Sequence, residues 1–245
     1  MRKPFAISIP LVLALFAVAM DGQNLLVKED FNEGRVTAAG GHLQGTGIVD
    51  DKRGGKCITG STAAYFPVSK YWNLAGGTVE FKVCFLEPST NASLDNWCLF
   101  RIQAPFLGQK DSFANSFNII NGWGAGLFLL LGDKAGSRTT LRYTGVSAWR
   151  PGEWHLVSFA WKIENPGRSW VALYVDGALA NARKDFTLEF EEEAWKGLKT
   201  METPTDLASH QKGSVLFGGG WGKNAAGCID DVKIWDFPRP YDFVK

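Results

Sequence analysis

Apolar and polar residues alternate with a period of two along several stretches of this chain. The clearest case is residues 78–85, where one face is made of apolar side chains: Val79, Phe81, Val83 and Phe85. Because successive side chains of a strand point to opposite faces, this pattern predicts a strand with one buried face. Residues 127–131 are apolar throughout, which is typical of a strand that is covered on both sides.

Three more segments in the second half of the chain read as strands. Residues 154–161 and 171–175 alternate, and the latter run directly into Asp176-Gly177. Two residues with positive φ match the twist of antiparallel strands, so this dipeptide predicts a tight hairpin turn. Residues 227–236 set acidic side chains among apolar ones and predict the last strand.

The pattern contains no long amphipathic helix, no repeat of fixed period and no low-complexity linker. An acidic stretch near residues 190–197 is the one segment with helical character, so we expect at most one short helix. Together these features predict an all-β protein built from antiparallel strands. We expect a single domain over residues 24–245, a size that one large β-sandwich can reach.

The first residues resemble an export signal rather than part of the fold. Arg2 and Lys3 precede an apolar run that ends in Ala17-Val18-Ala19. A short basic start, an apolar stretch and small residues before the cut predict a signal peptide over residues 1–19. The alternative is a membrane anchor, but the run is shorter than the roughly 20 residues of a spanning helix. We therefore expect a secreted or periplasmic protein with no membrane span.

Composition narrows the classes of partner. The 26 basic and 25 acidic side chains leave a net charge of +1, and no basic patch predicts binding to nucleic acid. The 10 Trp residues exceed what a core alone needs, so part of them is expected to be exposed. Neither an acidic nor a basic partner is favoured.

The four cysteines of an exported chain suggest disulfides, and they allow three pairings. We favour Cys84–Cys98, which closes a short loop, and Cys57–Cys228, which joins an early strand to the last. The alternative is that some of the four are buried thiols that pack as small apolar residues.

Five segments, in this order, resemble the laminin G-like branch of the concanavalin A-like jelly-roll superfamily, in particular its pentraxin-like bacterial members. The resemblance covers nearly the whole mature chain. The segments are Gly55-Lys56-Cys57-Ile58, Gly77-Thr78-Val79-Glu80-Phe81-Lys82-Val83, Trp154-His155-Leu156-Val157, Leu173-Tyr174-Val175-Asp176-Gly177 and Ile229-Asp230-Asp231-Val232-Lys233-Ile234-Trp235. It implies two large antiparallel sheets packed face to face, a jelly-roll sandwich.

The same resemblance implies a structural calcium ion near the start of the last strand. Asp230 shares its parity with Val232 and Ile234, so we expect it to point toward the core. A buried carboxylate needs a partner. By similarity to related jelly-rolls, calcium would be held by oxygen ligands: Asp230, Asp30 or Glu33, and the carbonyl of Gly34. The alternative is that Asp230 only accepts hydrogen bonds from loop backbone.

Four aromatic residues are candidates for a ligand surface. Trp123 and Trp221 lie on glycine-rich turns, while Tyr174 and Trp235 fall off the expected core face of their strands. Flat exposed rings suit stacking on the apolar C–H face of a sugar. The alternative is that these rings pack at the edge of the core or anchor turns.

Catalytic signatures are weak in this sequence. The acidic run at residues 189–193 lacks the spacing of the paired carboxylates that related glycosidases use, and is expected to be a solvated charged segment. No nucleophile motif, phosphate loop or zinc spacing is present. We expect a non-enzymatic module that binds glycan or glycoprotein. The alternatives are an adhesion protein that binds other proteins and, third, a polysaccharide hydrolase or lyase.

Overall fold

The computed structural model describes residues 24–45, 47–51, 53–103, 116–122, 126–164, 167–189, 214–219 and 225–239. The predicted signal peptide, the helix expected near residues 190–197, Trp123 and Trp221 all lie outside these ranges. Within them the chain forms two antiparallel sheets that pack face to face. This arrangement is a jelly-roll β-sandwich, which confirms the predicted fold class.

Sheet I has eight strands in the described part of the chain. Its order is β13, β12, β11, β6, β15, β4 and β3, with β1 pairing beside β15. The strands, numbered in chain order, are β1 (Leu25–Glu29), β3 (Ile48–Asp50), β4 (Lys56–Thr59), β6 (Gly76–Phe85), β11 (Trp154–Lys162), β12 (Ser169–Val175), β13 (Ala178–Phe186) and β15 (Gly227–Trp235).

Sheet II has seven strands, in the order β10, β9, β8, β7, β14, β5 and β2. They are β2 (His42–Gln44), β5 (Ala63–Pro67), β7 (Trp97–Gln103), β8 (Ser116–Gly122), β9 (Gly126–Gly132), β10 (Arg138–Tyr143) and β14 (Ser214–Gly218). All described pairings in both sheets are antiparallel.

Helical structure in the described ranges is limited to single turns. An α-helical turn, α1, spans Val68–Tyr71, and a 3₁₀ turn spans Gly145–Ala148. None of the helices described is long and apolar enough to cross a membrane.

The predicted inward faces of the central strands are confirmed. The alternate apolar residues of β6 pack with those of β11 and β12 in one core. Each of these side chains is at most 5% exposed: Val79, Phe81, Val83, Phe85, Val157, Phe159, Trp161, Val171, Leu173 and Val175. Strand β9 is buried along its whole length, as its continuous apolar run predicts. Period-two alternation therefore identifies the core faces of these strands.

Stacked rings fill the centre of the sandwich. Trp72 lies 4.4 Å from Trp161 with nearly parallel planes, and its ring also meets Phe117 at 5.2 Å. The indole N–H of Trp161 donates to the carbonyl of Leu74, so its polar edge is satisfied. Aromatic pairs of this kind contribute about 0.5–1.5 kcal/mol each beyond the area they bury.

The predicted hairpin at Asp176-Gly177 is confirmed. Both residues have positive φ, 51° and 78°, and the turn joins β12 to β13. The Asp176 carboxylate also accepts hydrogen bonds from the backbone of Leu156 and from the ring of His155. The turn therefore anchors β11 as well as the two strands that it joins.

Gly77 is required where β6 passes beneath the Trp161 ring. A Cβ atom at this position would lie 2.4 Å from the ring and 2.9 Å from the backbone carbonyl of Trp235. Trp161 cannot move away, because it is 0% exposed and stacked against Trp72. Only a residue without a side chain fits here.

We expect Gly77→Ala to reduce the free energy of unfolding by roughly 1–3 kcal/mol, because overpacking forces strain into the core. Gly76→Ala is the control, since its Cβ would meet Pro238 and the Trp161 carbonyl no closer than 3.2 Å. Urea denaturation of both variants measures the difference. Equal losses for the two variants would contradict this account of Gly77.

Candidate functional site

The outer face of sheet I carries a compact group of charged and aromatic side chains. We call it the Arg53 cluster, and it consists of Asp51, Arg53, Lys82, Trp154, Asp230 and Asp231. Asp51 and Arg53 come from the turn before β4, Lys82 from β6, Trp154 from β11, and Asp230 and Asp231 from β15. Four separate segments of the chain therefore converge on one side of the sheet.

A β-bulge in β15 turns Asp230 outward. Asp230 lies opposite Lys82 and Lys233 lies opposite Glu80, so two residues of β15 face one residue of β6 between these pairs. Asp231 takes a positive φ of 51° at the bulge. The extra residue shifts the alternation, so Ile229 and Val232 both face the core although their parities differ.

The predicted direction of the Asp230 side chain is therefore wrong. Parity with Val232 holds only for an uninterrupted strand, and the bulge lies between the two residues. Asp230 instead shares the outer face with Cys228, and its carboxylate pairs with Arg53. It is 5% exposed, so it is buried on this face rather than in the core between the sheets.

Arg53 holds the cluster together. Its Nε donates to the Asp51 carboxylate at 2.7 Å, and its Nη2 also binds Asp230. The guanidinium lies 4.0 Å above the centre of the Trp154 ring. Asp231 is 4.0 Å from Arg53 and forms its closer ion pair with Lys82 at 2.5 Å. A planar guanidinium suits this combination, because it can stack on a ring and bind carboxylates along its edge.

Burial raises the pKa of Asp230 to about 6. Desolvation is the largest cause, and the charge of Asp231 adds to it, while the backbone of Asp231 and Arg53 act in the opposite direction. For Asp51, burial also disfavours the charged form, but hydrogen bonds from Gly55 and Arg53 outweigh it and lower the pKa. The two carboxylates bound to one guanidinium thus differ in acidity because their surroundings differ.

The three carboxylates predicted to bind calcium have other partners. Asp230 pairs with Arg53, Glu33 pairs with Arg35 at 2.7 Å, and Asp30 accepts a hydrogen bond from the backbone of Asn32. The amide of Gly34 donates to the carbonyl of Phe31. In the described ranges no group of three or more acidic, His or Cys side chains could hold a metal ion. Calcium binding stays a prediction, and Arg53 already supplies a positive charge to Asp230.

The two predicted ligand aromatics that the structure describes do not come together. Tyr174 is 3% exposed, so its ring offers little surface to a ligand. Trp235 is half-buried, and the Arg239 guanidinium lies 4.8 Å from its ring centre. Arg239 also binds the buried carboxylate of Glu80. Trp235 thus resembles Trp154, because each indole is covered by an arginine that pairs with a buried carboxylate.

Sequence reasoning missed two half-buried indoles on this face, Trp154 and Trp170. Each is followed on its strand by an inward-facing residue, so alternation alone could have placed both indoles on the outer face. It also missed Arg53. A charged Asp-Lys-Arg stretch before Gly54-Gly55 marks an exposed turn, but nothing in the sequence pairs that turn with β15.

The four cysteines are thiols in the structure, and all are buried. The predicted Cys84–Cys98 disulfide is wrong, because the two residues lie on opposite outer faces of the sandwich. Cys84 is on sheet I beside Cys57 and Cys228, whereas Cys98 is on sheet II beside residues such as Tyr65 and Leu216. Sheets that pack face to face are about 10 Å apart, which a disulfide cannot span.

The remaining titratable candidates have structural roles. His155 stacks on Trp149 at 4.0 Å and binds the Asp176 carboxylate at 2.8 Å. Glu189, the one residue of the acidic run that is described, is exposed and pairs with Lys134 at 3.0 Å. The Nε2 atom of His155 also lies 3.8 Å from the Glu153 carboxylate.

No protein-family model matches this chain, and no curated protein matches it. Solved structures do match. One is the receptor-binding domain of botulinum neurotoxin mosaic serotype C/D, at 12% identity and a TM-score of 0.59, over 90% of this chain and 49% of that one. Another is the botulinum neurotoxin serotype D ligand-binding domain in complex with N-acetylneuraminic acid, at 11% identity and a TM-score of 0.56, over 90% and 49% of the two chains.

A third solved structure matches this chain along nearly its whole length. It is domain 4 of AbnA, an extracellular GH43 arabinanase from Geobacillus stearothermophilus, in complex with arabinotriose. Identity is 17% and the TM-score is 0.53, over 88% of this chain and 94% of that one. The chain thus spans about half the length of the botulinum domains and nearly the whole arabinanase domain. At these identities the likeness shows the fold alone, a jelly-roll β-sandwich, and laminin G-like membership stays a prediction.

We expect the stability of the protein to depend on Asp230 between about pH 4 and pH 6. Its pKa in the folded protein, about 6, lies above its ordinary value of 3.8. A carboxyl group with a raised pKa stabilises the fold while it is protonated, and this contribution is lost as the pH rises through 6. The Tm of Asp230→Asn minus that of the wild type should therefore rise from pH 4 to pH 7.

Thermal unfolding at several pH values measures this difference. Asp231→Asn removes a neighbouring charge of the same cluster and serves as the control. A Tm difference for Asp230→Asn that does not change between pH 4 and pH 7 would contradict the raised pKa.

Proposed function

We propose that this protein is a secreted, non-catalytic module that binds carbohydrate. The fold supports the proposal, because it is shared over nearly the whole length of an arabinanase domain that is in complex with arabinotriose. Fold alone does not set function. The stronger support is a surface on which aromatic and hydrogen-bonding side chains lie side by side.

The observation that carries the proposal is that three half-buried indoles share the outer face of sheet I: Trp154, Trp170 and Trp235. Rings that are half-buried keep one part fixed in the protein and present the rest to solvent, although Arg53 and Arg239 cover part of Trp154 and Trp235. Such a ring can stack on the apolar face of a sugar. Charged side chains lie between and around them, and these can bind the sugar hydroxyls.

The spacing of the indoles favours an extended ligand. Trp235 is on β15 and Trp170 on β12, with β6 and β11 between them. At about 4.8 Å between neighbouring strands, the two positions are about 14 Å apart across the sheet. We propose that the ligand is an oligosaccharide or polysaccharide chain that crosses the strands, carried free or on a glycoprotein.

A non-catalytic role is supported by the pairing of the carboxylates on this face. Asp230 is bound by Arg53, and Glu80 is bound by Arg239. A glycosidase needs two carboxyl groups positioned on either side of the scissile bond and able to exchange protons. On this face each of the two carboxylates instead binds a guanidinium of its own.

Export and laminin G-like ancestry are further parts of the proposal. The predicted signal peptide at residues 1–19 supports export. The order of the five sequence segments supports the laminin G-like branch. Trp123 and Trp221 remain predicted contributors to binding, and their turns lie outside the described residues.

Binding to a panel of polysaccharides, including arabinan and sialylated glycans, tests the proposal. We expect Trp235→Ala and Trp170→Ala each to weaken binding by about tenfold, because each removes one stacking ring. Leu86→Ala is the control, since Leu86 is 49% exposed and lies outside the strands of sheet I. Trp123→Ala and Trp221→Ala form a second pair and should also weaken binding.

Three outcomes would contradict the proposal in different ways. Loss of binding in the Trp123 and Trp221 variants alone would move the site away from sheet I. Retention in an extracellular protein complex without sugar binding would favour the adhesion alternative. Cleavage of a bound polysaccharide would favour the hydrolase or lyase.

A further inference from the structure

Three cysteines lie together on the outer face of sheet I, beneath the Arg53 cluster. They are Cys84 on β6, Cys228 on β15 and Cys57 on β4, three neighbouring strands. Each is at most 6% exposed, and Trp154 packs against the group. The residues come from distant parts of the chain, so only the folded sheet brings them together.

Cys228 occupies the middle of this group. It lies directly opposite Cys84 in the pairing with β6 and directly opposite Thr59 in the pairing with β4. Cys57 is two residues from Thr59 on the same face and belongs to the same buried group as Cys228, and each thiol shifts the pKa of the other. Diagonal neighbours on adjacent strands are within reach of one another, so a small movement brings the two sulfur atoms together.

Cys84 also forms a hydrogen bond to the backbone. Its thiol donates to the backbone carbonyl of Phe85 at 3.8 Å, although its strand position is opposite Cys228. Cys98, on sheet II, donates to the carbonyl of Phe100 at 3.4 Å within an apolar group.

We propose that Cys57 and Cys228 are a redox modification site, which closes to a disulfide by exchange with a disulfide-bearing oxidant. The Cys228 thiolate attacks one sulfur of the oxidant, and the other sulfur leaves as a thiolate. Cys57 then loses its proton to water and attacks the Cys228 sulfur, releasing the second thiolate. Two protein thiols are oxidised to one disulfide, and one disulfide of the oxidant is reduced to two thiols.

The order of the two steps follows from the surroundings of each thiol. The hydrogen bond from Cys57 lowers the pKa of Cys228, and the same hydrogen bond together with burial raises the pKa of Cys57. The thiolate is the reactive form. Cys228 is the most exposed of the three thiols, at 6%, so the oxidant reaches it first. Burial raises the pKa of Cys98 to about 11, so Cys98 stays unreactive.

The bond would join β4 to β15 and link residues 57 and 228, near the two ends of the domain. A cross-link over so long a loop restricts the unfolded chain strongly. The Arg53 cluster lies directly above the pair, because Asp230 and Cys228 belong to the same strand. Oxidation would therefore stiffen the face that carries the half-buried indoles.

The test uses the full reduced chain in native buffer with oxidised glutathione as the probe. Remaining thiols are then alkylated under denaturing conditions, and the intact mass and a non-reducing peptide map are recorded. We expect one intramolecular disulfide between Cys57 and Cys228 and two alkylated residues, Cys84 and Cys98. The oxidised protein should have a higher Tm than the reduced protein.

Variants separate the roles of the three cysteines. Cys84→Ser is the matched control and should still form the disulfide. Cys57→Ser should stop at a glutathione adduct on Cys228, because the second thiol is missing. If Cys57→Ser does not fold, Cys57→Ala is tested in its place, with the same expected result. Four alkylated cysteines in the treated wild type, or a disulfide that includes Cys84, would overturn the proposal.

Discussion

The bulge at Asp230 and Asp231 determines which residues of β15 face the core and which lie on the outer face of sheet I. Without it, a strand of period two could not place Ile229 in the core together with Val232 and Ile234. The extra residue lets both halves of β15 bury their apolar side chains. It also gathers Cys228, Asp230, Lys233 and Trp235 on the outer face. Since β15 pairs with β6 on one side and with β4 and β1 on the other, this one irregularity shapes the centre of sheet I.

Buried charge is the second organising feature of that face. Ionised side chains are costly to remove from water unless they are paired and hydrogen-bonded. Two buried carboxylates on this face are paired in the same way. Arg53 binds Asp230 and covers Trp154, and Arg239 binds Glu80 and covers Trp235. Arg239 is kept in place because its backbone amide donates to Thr78, whose hydroxyl donates to the carbonyl of Phe237.

Much of the fold was predictable from alternation and turn chemistry. The inward faces of β6, β11 and β12 and the Asp176-Gly177 hairpin follow from local sequence, and all are confirmed. The direction of Asp230 was not predictable in this way, because an uninterrupted strand was assumed. The Cys84–Cys98 pairing failed for a related reason: the residues are close in sequence, but β6 and β7 belong to different sheets. Burial of Tyr174 on an outer face was equally hidden from the pattern.

Sequence alone determined the all-β class, the strands of the core and the residues that face inward, because these depend on side chains one or two positions apart. The tertiary structure decided which distant groups meet. Arg53 and Asp230 are 177 residues apart, and Asn24 and Asp236 are 212 residues apart. Such contacts depend on strand order and register across a whole sheet, and no local pattern encodes them. The sequence already favoured the pairing of Cys57 with Cys228, but the Arg53 cluster became visible only when β4, β6 and β15 were seen side by side.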